Sequence, residues 1–423
     1  MNEDFLSYAW AYRLYSTMNL KTTDGQSIQV HDPGRLNRNS GPDFENAKIR
    51  IGQELWVGHV EIHVKAGDWL LHKHENDPAY QNVILHVVYD ADKDITVAGR
   101  VLPTLDLSTI MNPNLFGQYQ SWLKSRTWIP CEASIRNTES IQWTAWKDRL
   151  IAERLDQKSA NVLFMVNQSK GNWKEVFYQL ITENFGFKVN KQAMALFASR
   201  IPWNAVLRPG IEPLIVEAIL FGIAGWLEEV AIDAYHLKLL EEYHILKRKH
   251  RLEALPKSIW QMGKSRPGNF PCIRIAQLAA LISQKSTLYD ALWQPCSPER
   301  ALEKIQLQAG GYWQEHYEFG KKGKKNHSSL GELSQQNLLI NTLPVFWYAY
   351  GKFHREDRFL DEVLDFLQGC SPEENQITRK WQKLGCTMDH ALDTQSVIHL
   401  YNNYCTQKRC LQCQIGLHLM KQT

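Results

Sequence analysis

The sequence lacks an apolar run long enough to cross a membrane. Its longest apolar stretch, residues 213–227, is interrupted by Glu217 and is shorter than the roughly 20 residues that a bilayer requires. The opening residues, MNEDFLSYAW, are acidic and lack the basic and then apolar pattern of a secretory signal. We therefore predict a cytoplasmic protein without a membrane partner.

An excess of charge of one sign is also missing, and cysteine is scarce. Lysine and arginine number 48 against 45 aspartates and glutamates, so the formal net charge is only +3. Binding to nucleic acid would therefore depend on local basic patches. Eight cysteines in 423 residues do not indicate a secreted disulfide scaffold.

The residue patterns that are present divide the chain into two parts. Helical spacing at residues 3–19 is followed by strand patterns at 27–31, 47–52, 55–65 and 83–89, with an irregular crossover before the last strand. From residue 139 onward, strand patterns nearly vanish and helical patterns dominate. We predict an α+β fold with a small α/β domain at 1–112, a linker at 113–138 and a helical domain at 139–423.

The densest set of reactive side chains lies in the strand at residues 55–65. Alternation places Glu61, His63 and Lys65 on one face of that strand. Asp43 precedes the neighbouring strand, and an antiparallel hairpin would bring it beside Glu61. Two carboxylates form a hard oxygen site suited to Mg²⁺ or Mn²⁺, and His63 or Lys65 could assist a water molecule.

Two other interpretations of this segment stay open. The three polar residues could form the solvent face of an amphipathic strand. Alternatively, His72 and His74 could bind zinc, with Asp68 or His86 among the further ligands, and the protein would then be a zinc-dependent hydrolase. By itself, His86 is typical of a hydrogen-bonded core histidine on an apolar strand.

Two basic segments are candidates for binding DNA or RNA. Arg35 and Arg38 lie in the polar loop that leads to Asp43, where they could contact phosphates. A second segment interleaves lysines with aromatic residues, as single-strand-binding surfaces do. Its lysines are Lys321, Lys322, Lys324 and Lys325. Solvated loops would explain both segments equally well, and a binding module without catalytic activity is an alternative function.

Four cysteines crowd the C-terminal region. Cys405, Cys410 and Cys413 follow one another closely, and Cys386 could supply a fourth ligand. Four thiolates suit a structural zinc ion or an iron–sulfur cluster. Buried reduced cysteines are the simpler alternative.

The arrangement around Asp43 and Glu61 resembles the PD-(D/E)XK nuclease superfamily. Asp43 follows Pro42, and Glu61 is followed two positions later by a basic residue, here His63 instead of lysine. The resemblance implies a helix, three strands, a helix and a strand, with Asp43 and Glu61 as metal ligands. We therefore expect a metal-dependent nuclease or phosphodiesterase.

A second resemblance covers nearly the whole chain. The phrases GPDFENA, GHVEIHVKAGDW, HKHENDPAY, RPGNFPCIRIAQLA and KRCLQCQIG resemble a bacterial family catalogued only as a domain of unknown function. That resemblance implies one architecture along the full length of the chain and carries no reaction with it.

Overall fold

The computed structural model describes residues 1–422 apart from 38, 98, 209, 263–266, 285–287 and 324–327. The chain divides into two compact units. The first consists of Met1–Trp146 together with His399–Thr423, and the second consists of Lys147–Ile398. A mixed sheet in the N-terminal part precedes a large helical region, which confirms the α+β class.

The elements of the N-terminal part are mostly short strands. In chain order they are α1 (Glu3–Tyr12), β1 (Ile28–Asp32), β2 (Arg35–Leu36), β3 (Phe44–Ile51), β4 (Glu54–Lys65), α2 (Asp68–Leu71), β5 (Val83–Asp90), β6 (Thr96–Val97), β7 (Arg100–Val101), β8 (Thr104–Asp106) and α3 (Asn114–Lys124).

Helices dominate the rest of the chain. They are α4 (Ser140–Gln168), α5 (Trp173–Phe185), α6 (Lys191–Arg200), α7 (Trp203–Val206), α8 (Pro213–Ile223), α9 (Ala234–His250), α10 (Pro271–Ile282), α11 (Leu288–Leu292), α12 (Pro298–Lys304), α13 (Tyr312–Glu315), α14 (Glu332–His354), α15 (Arg358–Gly369), α16 (Gln376–Lys383), α17 (Ala391–Leu400) and α18 (Gln414–Lys421). One hairpin interrupts them, formed by β9 (His316–Glu318) and β10 (Lys321–Lys322).

The main sheet has the strand order β1-β3-β4-β5-β8, with β2 paired to β3. The first three strands of this path run antiparallel, whereas β4, β5 and β8 are parallel to one another. A parallel pair requires a crossover, and here the crossover between β4 and β5 contains only α2 and two single 3₁₀ turns. The irregular crossover predicted from the sequence is therefore confirmed.

Two sequence-based element limits were wrong. Helix α1 ends at Tyr12 because Arg13 adopts the left-handed conformation and its N–H bonds back to Ala9 and Trp10. Met18, which matched the helical spacing, is 78% exposed. Strand β3 begins at Phe44, three residues before the predicted limit, and contains a bulge that the residue pattern does not indicate.

The second unit has a large apolar core, and the carboxyl group of Glu217 is buried in this unit. Glu217 on α8 is 5% exposed and accepts hydrogen bonds from the Tyr235 hydroxyl (2.8 Å) and the Trp313 indole N–H (3.0 Å). Burial raises the pKa of Glu217 above its usual value in spite of these two donors. Folding therefore shifts the protonation equilibrium of this side chain toward its neutral form.

Glu217→Gln tests this assignment through the pH dependence of stability. Because the folded-state pKa is raised, the wild type has the full contribution of Glu217 below the unfolded pKa and loses it as pH rises through the folded pKa. Glutamine does not ionise. We expect the variant to gain stability relative to wild type between about pH 4 and pH 8, by about 1.4 kcal/mol for each unit of pKa elevation.

Urea unfolding at the two pH values measures this difference in the free energy of unfolding. Glu303→Gln changes an exposed glutamate of α12 in the same unit and is the matched control. An identical Glu217→Gln effect at both pH values would contradict the assignment.

None of the helices within the described ranges combines the length and the apolar character needed to cross a bilayer.

Candidate metal centre

The bulge in β3 places two carboxyl groups side by side. Register shifts between the pairs Phe44↔Val60 and Ala47↔Gly58, and Asn46 takes a positive φ of 57°. Asp43 therefore lies next to the middle of β4. Its backbone N–H donates to Glu61 Oε2 (3.0 Å), and the Ile62 N–H donates to Asp43 Oδ2 (3.0 Å). The Glu61 carboxylate is thus held by the backbone at Asp43, and the Asp43 carboxylate is held by the backbone of β4.

A histidine pair links β4 to β5. His63 Nδ1 lies 2.8 Å from His86 Nε2, and the two side chains are 1% and 0% exposed. Glu61 is 5% exposed. The interpretation of Glu61 and His63 as a solvent face is therefore wrong. Lys65, at the end of the same strand, is exposed.

The crossover after β4 delivers two further histidines. Asp68 Oδ2 accepts the Lys65 backbone N–H (2.9 Å) at the start of α2. His72 follows the last residue of α2, and Lys73 then takes a positive φ of 61°, which turns the chain before His74. The His74 ring stacks on Tyr80, with centroids 3.8 Å apart.

Three histidines converge on one place. One ring nitrogen from each of His63, His72 and His74 lies within 4.8 Å of the other two, and this is the only His, Cys, Asp or Glu group of its kind in the described part of the chain. Glu61 Oε1 lies 3.7 Å from His63 Nε2 and 3.4 Å from His74 Nε2. We call these four side chains the metal centre.

Burial sets the protonation states around the metal centre. Desolvation, and then the neighbouring Asp43, raise the pKa of Glu61 to about 9. Desolvation, and then the imidazoles of His86, His74 and His72, lower the pKa of His63 to about 2. Burial also raises the pKa of Asp43 to about 6 and lowers that of His86 to about 3. The buried groups are therefore forced toward their neutral forms.

Unsatisfied nitrogens add a second observation. His74 Nε2 and His86 Nδ1 are buried and make no hydrogen bond within the described residues. A buried polar atom without a partner costs roughly 1–3 kcal/mol. A cation bound between the three rings and Glu61 would take His74 Nε2 as a ligand and would favour the ionised form of the Glu61 carboxyl group. The donor set therefore fits a divalent metal.

The residues predicted to bind nucleic acid differ in whether their charges are paired with a nearby carboxylate. Arg35 is exposed on β2. Lys321 and Lys322 form ion pairs with Glu318 (2.9 Å) and Glu315 (3.0 Å), so their charges are balanced locally. Arg38, Lys324 and Lys325 lie outside the described residues.

The sequence did not indicate the contacts that His86 and Tyr80 make with the histidines of the site. His86 is the core histidine that was predicted, and it also positions the ring of His63. Tyr80 packs against His74 from the second 3₁₀ turn of the crossover. The sequence HKHENDPAY carried both His74 and Tyr80, but an irregular segment has no period from which to infer this contact.

Comparison with known proteins identifies a family whose function is unknown. The family described as a protein of unknown function, DUF2851, matches residues 3–376. No curated protein and no solved structure matches the chain.

Proposed function

The chain belongs to the DUF2851 family, whose description assigns no activity, and we propose from its own residues that it is a divalent-metal-dependent phosphodiester hydrolase acting on nucleic acid. The observation that carries this proposal is the convergence of His63, His72 and His74 beside Glu61. The chain brings these side chains together from one strand and an irregular crossover.

Three imidazoles and one carboxylate favour a borderline metal. Imidazole suits zinc and other transition metals, whereas Mg²⁺ prefers oxygen ligands only. The proposed ion is therefore Zn²⁺ or Mn²⁺. Three of its ligands would be imidazole nitrogens, whereas the sequence predicted a site made of the carboxylate oxygens of Asp43 and Glu61. Such an ion supplies Lewis acidity toward a water molecule and toward a phosphoryl oxygen.

Two neighbouring side chains have roles that their contacts support. His63 Nδ1 shares a hydrogen bond with His86 Nε2, which leaves His63 Nε2 directed toward the centre. Asp43 is half-buried, and its pKa of about 6 is close to the value that a general base requires near neutral pH. Asp43 would accept the proton of the attacking water.

We propose a phosphodiester substrate from the strand order around Asp43 and Glu61 and from the exposed side chain of Arg35. Asp43 immediately precedes β3, Glu61 lies on the adjacent antiparallel strand β4, and a crossover leads to the parallel strand β5. This strand order is similar to the one that the PD-(D/E)XK resemblance implies, although the crossover has the four-residue α2 in place of a full helix. Arg35 lies on β2 in register with Glu45, two residues from Asp43 along β3. An exposed arginine here can contact a phosphate of the polynucleotide backbone.

Metal removal and replacement test the proposal. The full chain is stripped with a chelator and given Zn²⁺, Mn²⁺ or Mg²⁺, and cleavage of labelled single- and double-stranded DNA and RNA is measured. We expect Zn²⁺ or Mn²⁺ to restore cleavage and Mg²⁺ to be ineffective, because the ligand set is rich in nitrogen.

Two results would oppose this expectation. Cleavage restored by Mg²⁺ alone would instead assign the ion to the oxygen atoms of Asp43 and Glu61. A folded chain that binds Zn²⁺ and cleaves no substrate would favour the binding-module alternative.

A further inference from the structure

Four cysteines of the first unit surround one small cavity. The cavity between them has a volume of about 20 Å³. All four are free thiols. We call these residues the cysteine site: Cys131, Cys405, Cys410 and Cys413.

The cysteine site joins two parts of the chain that are distant in sequence. Cys131 lies within a turn in which the Glu132 N–H donates to the Ile129 carbonyl (3.2 Å). The other three come from the C-terminal segment of the same unit, and the whole second unit lies between the two parts in sequence. A cross-link here closes a very long loop of the unfolded chain, where the entropic gain is greatest.

Burial disfavours free thiolates at the cysteine site, whereas a bound cation would stabilise them. Cys413 immediately precedes α18, where the backbone N–H groups of Gly416 and Ile415 partly offset the desolvation that raises the pKa of its thiol to about 11. The Arg409 guanidinium lines the same cavity and lies 4.8 Å from the ring centroid of Tyr404. Burial and the neighbouring thiols raise the pKa of Cys405, so only a bound cation would keep four deprotonated sulfurs together.

The C-terminal loop is shaped to pack closely at the cavity. A Cβ at Gly416 would lie 2.4 Å from the Cys410 carbonyl oxygen, so only glycine permits this approach. The Lys408 ammonium donates to the carbonyl oxygens of Leu123 and, at 3.2 Å, Ser125. These contacts tie the three C-terminal cysteines to the segment that leads to Cys131.

The spacing of the sulfurs argues against a single ion. A tetrahedral zinc site has Zn–S bonds of about 2.3 Å, which holds its four sulfurs about 3.8 Å apart. Among the described residues, no three cysteine sulfurs approach within 4.8 Å of one another, since the histidine group alone meets that limit. In a four-iron cluster each thiolate binds a different iron, and the sulfurs stand further apart around a central volume.

We infer that the cysteine site holds a [4Fe–4S] cluster, with Cys131 as the fourth ligand. The cluster joins the C-terminal segment to the N-terminal part of the first unit. This assignment is independent of the proposed hydrolase activity. It replaces Cys386, which the sequence spacing suggested and which lies buried in the second unit with its sulfur 3.7 Å from the Thr387 carbonyl oxygen.

The test is the iron and acid-labile sulfide content of the full chain purified without oxygen. We expect about four of each per chain, with a visible charge-transfer band. Cys131→Ser should lose iron, sulfide and the band, whereas the matched control Cys386→Ser should keep them. His74→Ala should also keep them, which separates this iron from any metal at the histidines.

Alkylation of the wild type covers the case in which Cys131→Ser fails to fold. The four cysteines should resist a thiol reagent until the cluster is destroyed by oxidation or chelation, while Cys296 reacts throughout. Any of three results would overturn the assignment. These are a wild type with one zinc and no sulfide, iron retained in folded Cys131→Ser, and immediate alkylation of all four thiols.

Discussion

His74→Ala should lower the rate of phosphodiester cleavage by on the order of 10³-fold, because a catalytic metal contributes several kcal/mol and each 1.36 kcal/mol is a factor of ten. His74 comes from the crossover and is partly exposed, so its removal disturbs the sheet less than removal of the buried His63. Loss of one of three imidazoles should also remove most of the bound Zn²⁺.

The measurements are the initial rate of cleavage and the zinc content per chain after dialysis. His59→Ala is the matched control, since His59 lies on β4 outside the metal centre and accepts the Asn46 N–H at 3.4 Å. We expect the control to retain both zinc and activity. Full activity and full zinc content in His74→Ala would remove His74 from the centre and would contradict the proposed ligand set.

The second large effect concerns stability and arises in the second unit. Lys147 Nζ lies 2.8 Å from Asp393 Oδ1 and donates to the Thr387 carbonyl (2.8 Å), and the two charged side chains are 10% and 9% exposed. Lys147→Met leaves the Asp393 charge buried without its cation. We expect the free energy of unfolding to fall by roughly 3–5 kcal/mol.

Urea unfolding of single and double variants measures this effect. Lys147→Met/Asp393→Asn should recover a large part of the loss, because the uncompensated charge is then absent. Lys322→Met removes an exposed pair with Glu315, whose side chains are 70% and 68% exposed, and should cost far less stability than Lys147→Met, because solvent screens the two charges. Equal losses in the two lysine variants would show that burial does not determine the energy of the Lys147 pair.

The candidate site was predictable where it depends on local pairing. Asp43 immediately precedes β3, and β3 and β4 follow each other directly, so antiparallel pairing predicted that Asp43 would approach Glu61. The bulge in β3, which fixes their exact alignment, was not predictable. The burial of Glu61 and His63 was not predictable, because both faces of β4 are covered at this point. The alternation of polar and apolar residues is the same for a solvated strand and for a strand with a buried polar face.

The sequence by itself determined that a part containing strands precedes a mainly helical part. It also determined which residue types are available to the candidate site. Strand alternation and helical spacing are properties of a few neighbouring residues, which is why the α+β class could be inferred without coordinates. The same holds for the density of histidines around β4 and for the spacing of the three C-terminal cysteines.

Only the tertiary structure decided which of these residues meet. His72 and His74 reach His63 through a turn at Lys73, whose positive φ no period predicts. Cys131 meets the C-terminal cysteines because the chain returns to the first unit after the whole second unit. Both contacts depend on the path of irregular or distant segments, and that path follows from packing of the complete chain instead of from any local pattern.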